Sequence, residues 1–182
     1  MTILLIGSGG REHAILSKIA GSPLADKIYA LPGNGGMEAL AECVPIGAKD
    51  VPAIVDFAKT HGVDFAIVAP DDPLVLGLVD ALNAVGIPCF GPTKAAAEIE
   101  GSKVFSKNLM KKYGIPTAAY EVFDDIDHAM AYVQTAPVPL VVKADGLALG
   151  KGVLICHTRR EAEDALREIM ADKVFGASGN RV

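Results

Sequence analysis

Lys103, Lys143 and Lys151 are the residues of this sequence best suited to chemistry, because each stands beside glycine-rich backbone. Lys103 follows Gly101-Ser102 at the start of a helical pattern, and Lys143 ends a short apolar run. Lys151 lies in Ala144-Asp145-Gly146-Leu147-Ala148-Leu149-Gly150-Lys151-Gly152. A turn of this composition brings backbone N–H groups and ammonium charge to bear on a polyphosphate. The same residues also suit a glycine-loosened hairpin with solvated lysines. That second reading leaves unexplained why lysines recur around one place.

Another set of glycines, Gly7-Ser8-Gly9-Gly10-Arg11-Glu12-His13, joins an apolar run to a helical pattern. Amides at a helix N-terminus placed this way meet a phosphate. Arg11 offers a guanidinium fork to the same anion, or else a surface pair with Glu12. A ligand-free strand-to-helix turn needs such glycines too, so the loop alone leaves both readings open. Glu12 takes the third-glycine position of the dinucleotide fingerprint, which argues against nicotinamide binding. A redox enzyme would then rest on fold analogy only. His13 reads as a helix-face residue rather than a catalyst.

Three further turns punctuate the first half: Pro32-Gly33-Asn34-Gly35-Gly36, Pro70-Asp71-Asp72-Pro73-Leu74 and Gly91-Pro92-Thr93. Asp71 and Asp72 suit helix N-caps, and equally suit the hydroxyls or amine of a sugar-like ligand.

These side chains need a frame. Apolar runs at 3–6, 28–31, 44–46, 65–69 and 88–90 are short, bounded by Gly or Pro and without alternation, as buried parallel strands are. Helical patterns at 12–20, 51–61 and 74–85 lie between them, the second opened by Asp50 with Pro52 in its first turn. The alternation predicts an α/β fold with a doubly wound parallel sheet, whose ligand lies at the carboxyl ends of the strands. Two helices come next at 94–100 and 102–113, parted by Gly101, and the domain boundary is expected there: residues 1–101 and 102–182. The second part reads as strand 120–123, helix 126–134, strand 140–143, glycine turn, strand 153–157 and helix 160–171, a small α+β lid.

Composition narrows the partners. The 182 residues are 51% hydrophobic, enough for an ordinary core, and the formal charge of -5 argues against a nucleic-acid surface. With pI near 5.3 and mean hydropathy +0.34, small-molecule partners fit better. Cys43, Cys89 and Cys156 are scattered and lack His at ligand spacing, so reduced thiols are expected, with no disulfide framework and no metal site in this segment. No run has the length of a signal or membrane segment, and the expected compartment is the cytoplasm.

Taken in order, Gly7-Ser-Gly-Gly-Arg-Glu-His13, Pro32-Gly-Asn-Gly35, Pro70-Asp-Asp-Pro-Leu74, Phe90-Gly-Pro-Thr93, Glu100-Gly-Ser-Lys103, Lys143-Ala-Asp-Gly-Leu-Ala148 and Gly150-Lys-Gly152 resemble the phosphoribosylamine-glycine ligases. These glycinamide ribonucleotide synthetases belong to the ATP-grasp superfamily, and the resemblance covers essentially the whole chain. It implies a Rossmann-like amino-terminal domain succeeded by the first part of an ATP-grasp domain. The implied reaction joins glycine to 5-phosphoribosylamine in the second step of purine synthesis. ATP is consumed through glycyl phosphate, and glycinamide ribonucleotide, ADP and phosphate are released.

By the same resemblance Gly9, Gly10 and Arg11 lie near the substrate phosphate and Asn34, Asp71 and Asp72 near its sugar, with Glu12, Gly35 and Pro73 also in the substrate site. Lys103, Lys143, Asp145, Gly146, Leu147, Ala148, Gly150, Lys151 and Gly152 contact ATP, the loop closing over its phosphates. Mg2+ or Mn2+ is implied, with ligands expected beyond residue 182. Two positions depart from the family: Asp71 where Glu is common, and Leu149 where Ala is common. Family members also run well past Val182. The expectation is therefore a chain that is catalytically incomplete by itself, its missing carboxy-terminal domains being its natural partner. The competing readings are another ATP-grasp carboxylate-amine ligase or carboxylase, and a phosphate-binding fragment without turnover.

Overall fold

The computed structural model describes residues 1–148 and 150–182. Leu149, where the family commonly has Ala, lies outside the described residues. The chain divides into two compact units, Met1–Ala97 and Glu98–Val182.

The first unit is built on five parallel strands in the order β3-β2-β1-β4-β5. They are β1 (Thr2–Gly7), β2 (Lys27–Pro32), β3 (Glu42–Cys43), β4 (Phe65–Val68) and β5 (Cys89–Phe90). Strand β1 sits centrally, with Leu4 level with Tyr29 of β2 and Ala66 of β4. It lacks alternation because both its faces are covered. Leu4 and Ile6 pack into one cluster with Ile54, Phe57, Leu78 and Leu82, while Ile3 and Leu5 pack into another with Leu16, Ile28 and Met37. Helix α1 (Gly10–Ile19) supplies Leu16 to the second cluster. Helices α2 (Val51–Thr60), α3 (Asp71–Leu76) and α4 (Leu78–Ala84) cover the other face. The order reverses between β1 and β4, the switch point at which such sheets open a crevice. The doubly wound parallel sheet is as the sequence predicts.

Two details differ in this unit. The third strand occupies Glu42–Cys43 rather than 44–46, because Pro45 has no N–H to continue the ladder, which ends with Val44 N–H on Ala30 O at 3.0 Å. The helix expected over 74–85 begins earlier, at Asp71, and is broken at Gly77 (φ 92°), whose left-handed backbone ends α3 and starts α4. Asp71 and Asp72 therefore stand in the first turn of α3 and not at its cap, which is Pro70.

Helix α5 (Lys94–Gly101) contains the division between the units. The second unit continues with α6 (Lys103–Lys112), α7 (Ile126–Thr135), the antiparallel pair β6 (Leu140–Lys143) and β7 (Val153–Cys156), and α8 (Arg159–Leu166). Ala129, Val133, Val142, Cys156, Ala162 and Leu166 share its core. The outer face of the pair is bare: Val141, Val153 and Ile155 are exposed beside Lys143. The strand expected at 120–123 does not form, since Phe123 alone finds a strand-like partner, exchanging N–H···O bonds with Val182. The final helix is also shorter than expected, its last residues widening into a π-helical turn, Arg167–Ala171, with a 3-10 turn, Gly176–Asn180, after it. Among the described residues no helix is long and apolar enough to cross a membrane.

Candidate functional site

In the first unit the candidate site grows from the turn between β1 and α1. Glu12 folds back beneath it and accepts the Gly9 N–H on Oε2 at 2.7 Å. Its side chain is almost fully buried, and a Cβ at Gly7 or at Gly9 would come within 2.5 Å of it. Both glycines are thus required by a neighbouring side chain rather than by a ligand alone. The amides of Gly10 and Arg11 belong to the first turn of α1, where no intrahelical acceptor exists. Open space surrounds Gly10 on its Cβ side. The Arg11 side chain is 72% exposed, its nearest charged partner being Glu12 Oε1 at 3.9 Å. Exposed donors on a helix N-terminus are the arrangement that suits an anion.

The loop after β2 is tied to that turn. Gly33 N–H donates to Gly7 O at 3.2 Å, and Asn34 Nδ2 donates to Ser8 O at 2.8 Å while its Oδ1 accepts the Gly36 N–H at 2.8 Å. The Asn34 amide thus ties the two loops together through Nδ2 and braces its own loop through Oδ1. Gly35 is exposed with nothing near its Cβ position.

The first turn of α3 carries Asp71, Asp72 and Pro73. Asp72 pairs with Lys49 at 3.0 Å, Pro73 is buried, and Asp71 is half-buried without a side-chain partner among the described residues. A cleft of about 600 Å³ lies beyond the ends of β4 and β5, with Arg11 at its rim and Leu74, Cys89, Phe90 and Pro92 among its walls. Burial pushes the Cys89 thiol up to about 11, so the thiolate needed of a nucleophile is scarce at neutral pH. The structure thus ties the Asn34 loop to the turn carrying Gly9 and Gly10 through Gly7 and Ser8, and places Arg11 on a cleft that neither Asn34 nor Asp71 lines.

The second unit gathers the lysines and the other glycine turn. Lys103, first residue of α6, donates its Nζ to Gly146 O at 2.9 Å and its N–H to Asp145 O at 3.1 Å. Burial pushes the Lys103 ammonium down from its ordinary value, Asp145 counters this, and the nearby charge of Lys143 adds to it. Two cations held close enough to oppose each other favour an anion between them. Lys143, at the end of β6, and Lys151 are exposed.

Each glycine of the turn has its own reason. A Cβ at Gly146 would lie 2.4 Å from Ser178 Oγ, one at Gly152 2.6 Å from Ala148 Cβ, and Gly150 adopts φ 75°. Ala144 N–H on Gly152 O closes the turn across its base at 2.9 Å. Asp145, expected as a nucleotide contact, is 8% exposed and has both oxygens engaged. Oδ1 accepts from Ser102 Oγ at 2.9 Å and Val104 N–H at 2.8 Å, and Oδ2 from Arg181. Burial favours its neutral form, but these donors together outweigh it and hold the carboxyl below its ordinary range. Ser102, Ser178 and Arg181 are what residue patterns did not reveal; of the three only Ser102 carries a signal, as an N-cap before α6.

The family models and the sequence relatives point to one family. Residues 1–100 match the model of the phosphoribosylglycinamide synthetase N domain, and residues 101–182 that of the phosphoribosylglycinamide synthetase ATP-grasp (A) domain. Phosphoribosylamine–glycine ligase of Vibrio cholerae is 50% identical over the whole chain, and that of Haemophilus influenzae equally so. This chain spans 43% of the length of each of those relatives. Among solved structures, the Thermotoga maritima phosphoribosylamine–glycine ligase aligns over 97% of this chain and 41% of its own, with TM-score 0.77 and 30% identity. A biotin carboxylase from Campylobacter jejuni shares the fold at TM-score 0.78 with 15% identity, over 99% of this chain and 43% of its own. The chain belongs to the phosphoribosylglycinamide synthetase family, with N-domain sequence in residues 1–100 and ATP-grasp sequence in residues 101–182.

Proposed function

We propose that this chain is the amino-terminal portion of an ATP-dependent ligase that joins glycine to 5-phosphoribosylamine, giving glycinamide ribonucleotide, ADP and phosphate. The observation that carries this is the pairing of two anion seats with whole-chain identity of 50% to ligases of that name. Residues 1–101 hold the phosphoribosyl substrate and residues 102–182 begin the nucleotide site, in the cytoplasm. The N–H groups of Gly10 and Arg11, with the Arg11 guanidinium, bind the substrate phosphate. Gly9, Glu12 and Asn34 shape that seat, while Gly35 and the Asp71-Asp72-Pro73 turn face the sugar. Lys103, Lys143 and Lys151 neutralise the nucleotide phosphates, with backbone from Gly146, Leu147, Ala148, Gly150 and Gly152 folded around them.

ATP supplies the phosphoryl group that activates the glycine carboxylate for attack by the amine. No protein nucleophile is required. Mg2+ or Mn2+ would serve the phosphates, but among the described residues no three His, Cys, Asp or Glu side chains gather, so its ligands are assigned to the remainder of the enzyme.

The test uses a chimaera in which residues 1–182 replace the matching segment of the Vibrio cholerae relative. ADP release that requires both glycine and 5-phosphoribosylamine is expected, and release driven by bicarbonate instead would favour a carboxylase. The 182-residue chain alone should release no ADP yet give binding heat with glycinamide ribonucleotide at millimolar concentration. Absence of that heat would count against the first-unit seat.

A further inference from the structure

Glu12 and Asp145 are the buried charged side chains of this chain, among the described residues. Asp145 offers nothing to a phosphate. Its carboxylate is already filled by Ser102 Oγ, Val104 N–H and the Arg181 guanidinium, and another anion beside it would be repelled. Its main chain is equally occupied, the N–H shared between Ser178 O and Arg181 O at 3.0 Å each and the carbonyl accepting from Lys103 N–H.

The next residues are fixed from the same side. Gly146 O accepts from Lys103 Nζ, and Leu147 O accepts from Ser178 Oγ at 2.9 Å. Both carbonyls are thereby turned to protein partners, and the N–H groups of Gly146 and Leu147 have no hydrogen-bond partner among the described residues. Successive amides with their carbonyls tied back form a concavity that favours anions.

We propose that Asp145 and Arg181 are a positioning pair that locks the start of α6 to the glycine turn, fixing the Lys103 ammonium and the Gly146-Leu147 amides in place without touching phosphate. This rests on the nucleotide reading of the turn and corrects the role of one residue within it. Arg181 lies 36 positions from Asp145 and reaches it through Nε at 2.8 Å and through Nη2. Two guanidinium N–H groups converging on the single oxygen Oδ2 fix direction as well as distance, which a lysine cannot do fully. Gly179 serves the same end, since a Cβ there would meet Ile169 O at 2.2 Å and push the Gly176–Asn180 turn away from Ser178's contacts.

The experiment uses the 182-residue chain with Asp145→Asn, Arg181→Met and Arg181→Lys. Amide exchange, the Lys103 ammonium titration and ATP titration with and without magnesium are measured by NMR. Asp145→Asn and Arg181→Met should speed exchange at 103–104 and at 145, whose amides are bonded within the lock, and weaken ATP by about tenfold, equivalent to about 1.4 kcal/mol, with Arg181→Lys recovering part of the loss. Asp145→Asn should also move the Lys103 titration further down, because a favourable charge is lost; a residue that only fills space would leave it unmoved. Arg181→Met keeps the test alive if Asp145→Asn fails to fold, since the Arg181 side chain is 45% exposed. ATP affinity within twofold of the parent in the folded variants, or exchange raised evenly through the second unit, would overturn the pair. Faster local exchange in the variants with no response of the parent to millimolar ATP would keep the lock and discard the nucleotide reading.

Discussion

Gly9 has an ordinary extended backbone (φ -84°, ψ 177°), so its need for glycine lies entirely in the Glu12 carboxylate that occupies its Cβ space. Gly9→Ala is expected to displace that carboxylate and leave a buried charge unpaired, costing about 1–3 kcal/mol in urea unfolding. Adding Glu12→Ala should cost less than the sum of the single changes, because the two positions share one contact. Asp145 gives a pH signature. Its carboxyl titrates below its unfolded value, so its contribution is full above about pH 4 and disappears as pH falls through the folded value. Asp145→Asn should therefore lower stability at pH 7 and flatten the fall of stability below about pH 4, measured by denaturant midpoints across that range. At this scale the sequence announces the types of the site residues but not their duties. The Gly7–His13 motif is legible as a strand-to-helix glycine turn, yet nothing in the chain order says that Glu12 curls under it. Likewise nothing near Asp145 in the chain order announces that Arg181, far along the chain, holds its carboxylate.

Elements are legible where local chemistry decides them. Strands β1, β2 and β4 lie within a residue or so of their apolar runs, because burial on both faces leaves a continuous hydrophobic signature. Helix α2 is found with its Asp50 cap, whose Oδ1 accepts the Ala53 N–H at 3.1 Å. The features that escape are set by single residues or distant partners: Pro45 interrupting a ladder, Gly77 breaking a helix, and Phe123 pairing with Val182. Gly77→Ala tests the second of these. A side chain at φ 92° is strained and would press on Lys94 at 3.3 Å, so a loss of about 1–2 kcal/mol is expected in thermal or urea unfolding. Ser102→Ala removes both the cap of α6 and one donor to Asp145. It should cost about 1–2 kcal/mol, and faster amide exchange at Phe105 is the local sign to look for. A cap that served α6 alone would leave exchange at Asp145, whose N–H is bonded to Ser178 O and Arg181 O, unchanged.

The molecule as a whole carries separate cores. The clusters around β1 draw on residues from Ile3 to Ala97, and the cluster of α7, α8, β6 and β7 on residues from Phe123 to Val182. Residues 1–101 expressed alone should consequently unfold in one cooperative transition by circular dichroism, and a gradual, non-cooperative melt would show that the sheet depends on residues 102–182. The pair β6 and β7 has a practical consequence. Among the described residues both its edges are unpaired, and its apolar face leaves Ile155 65% exposed, the combination by which separate molecules zip together. Shelf life in concentrated solution is then governed by that face: light scattering should climb with protein concentration, and a single outward charge, Ile155→Lys, should keep the solution clear.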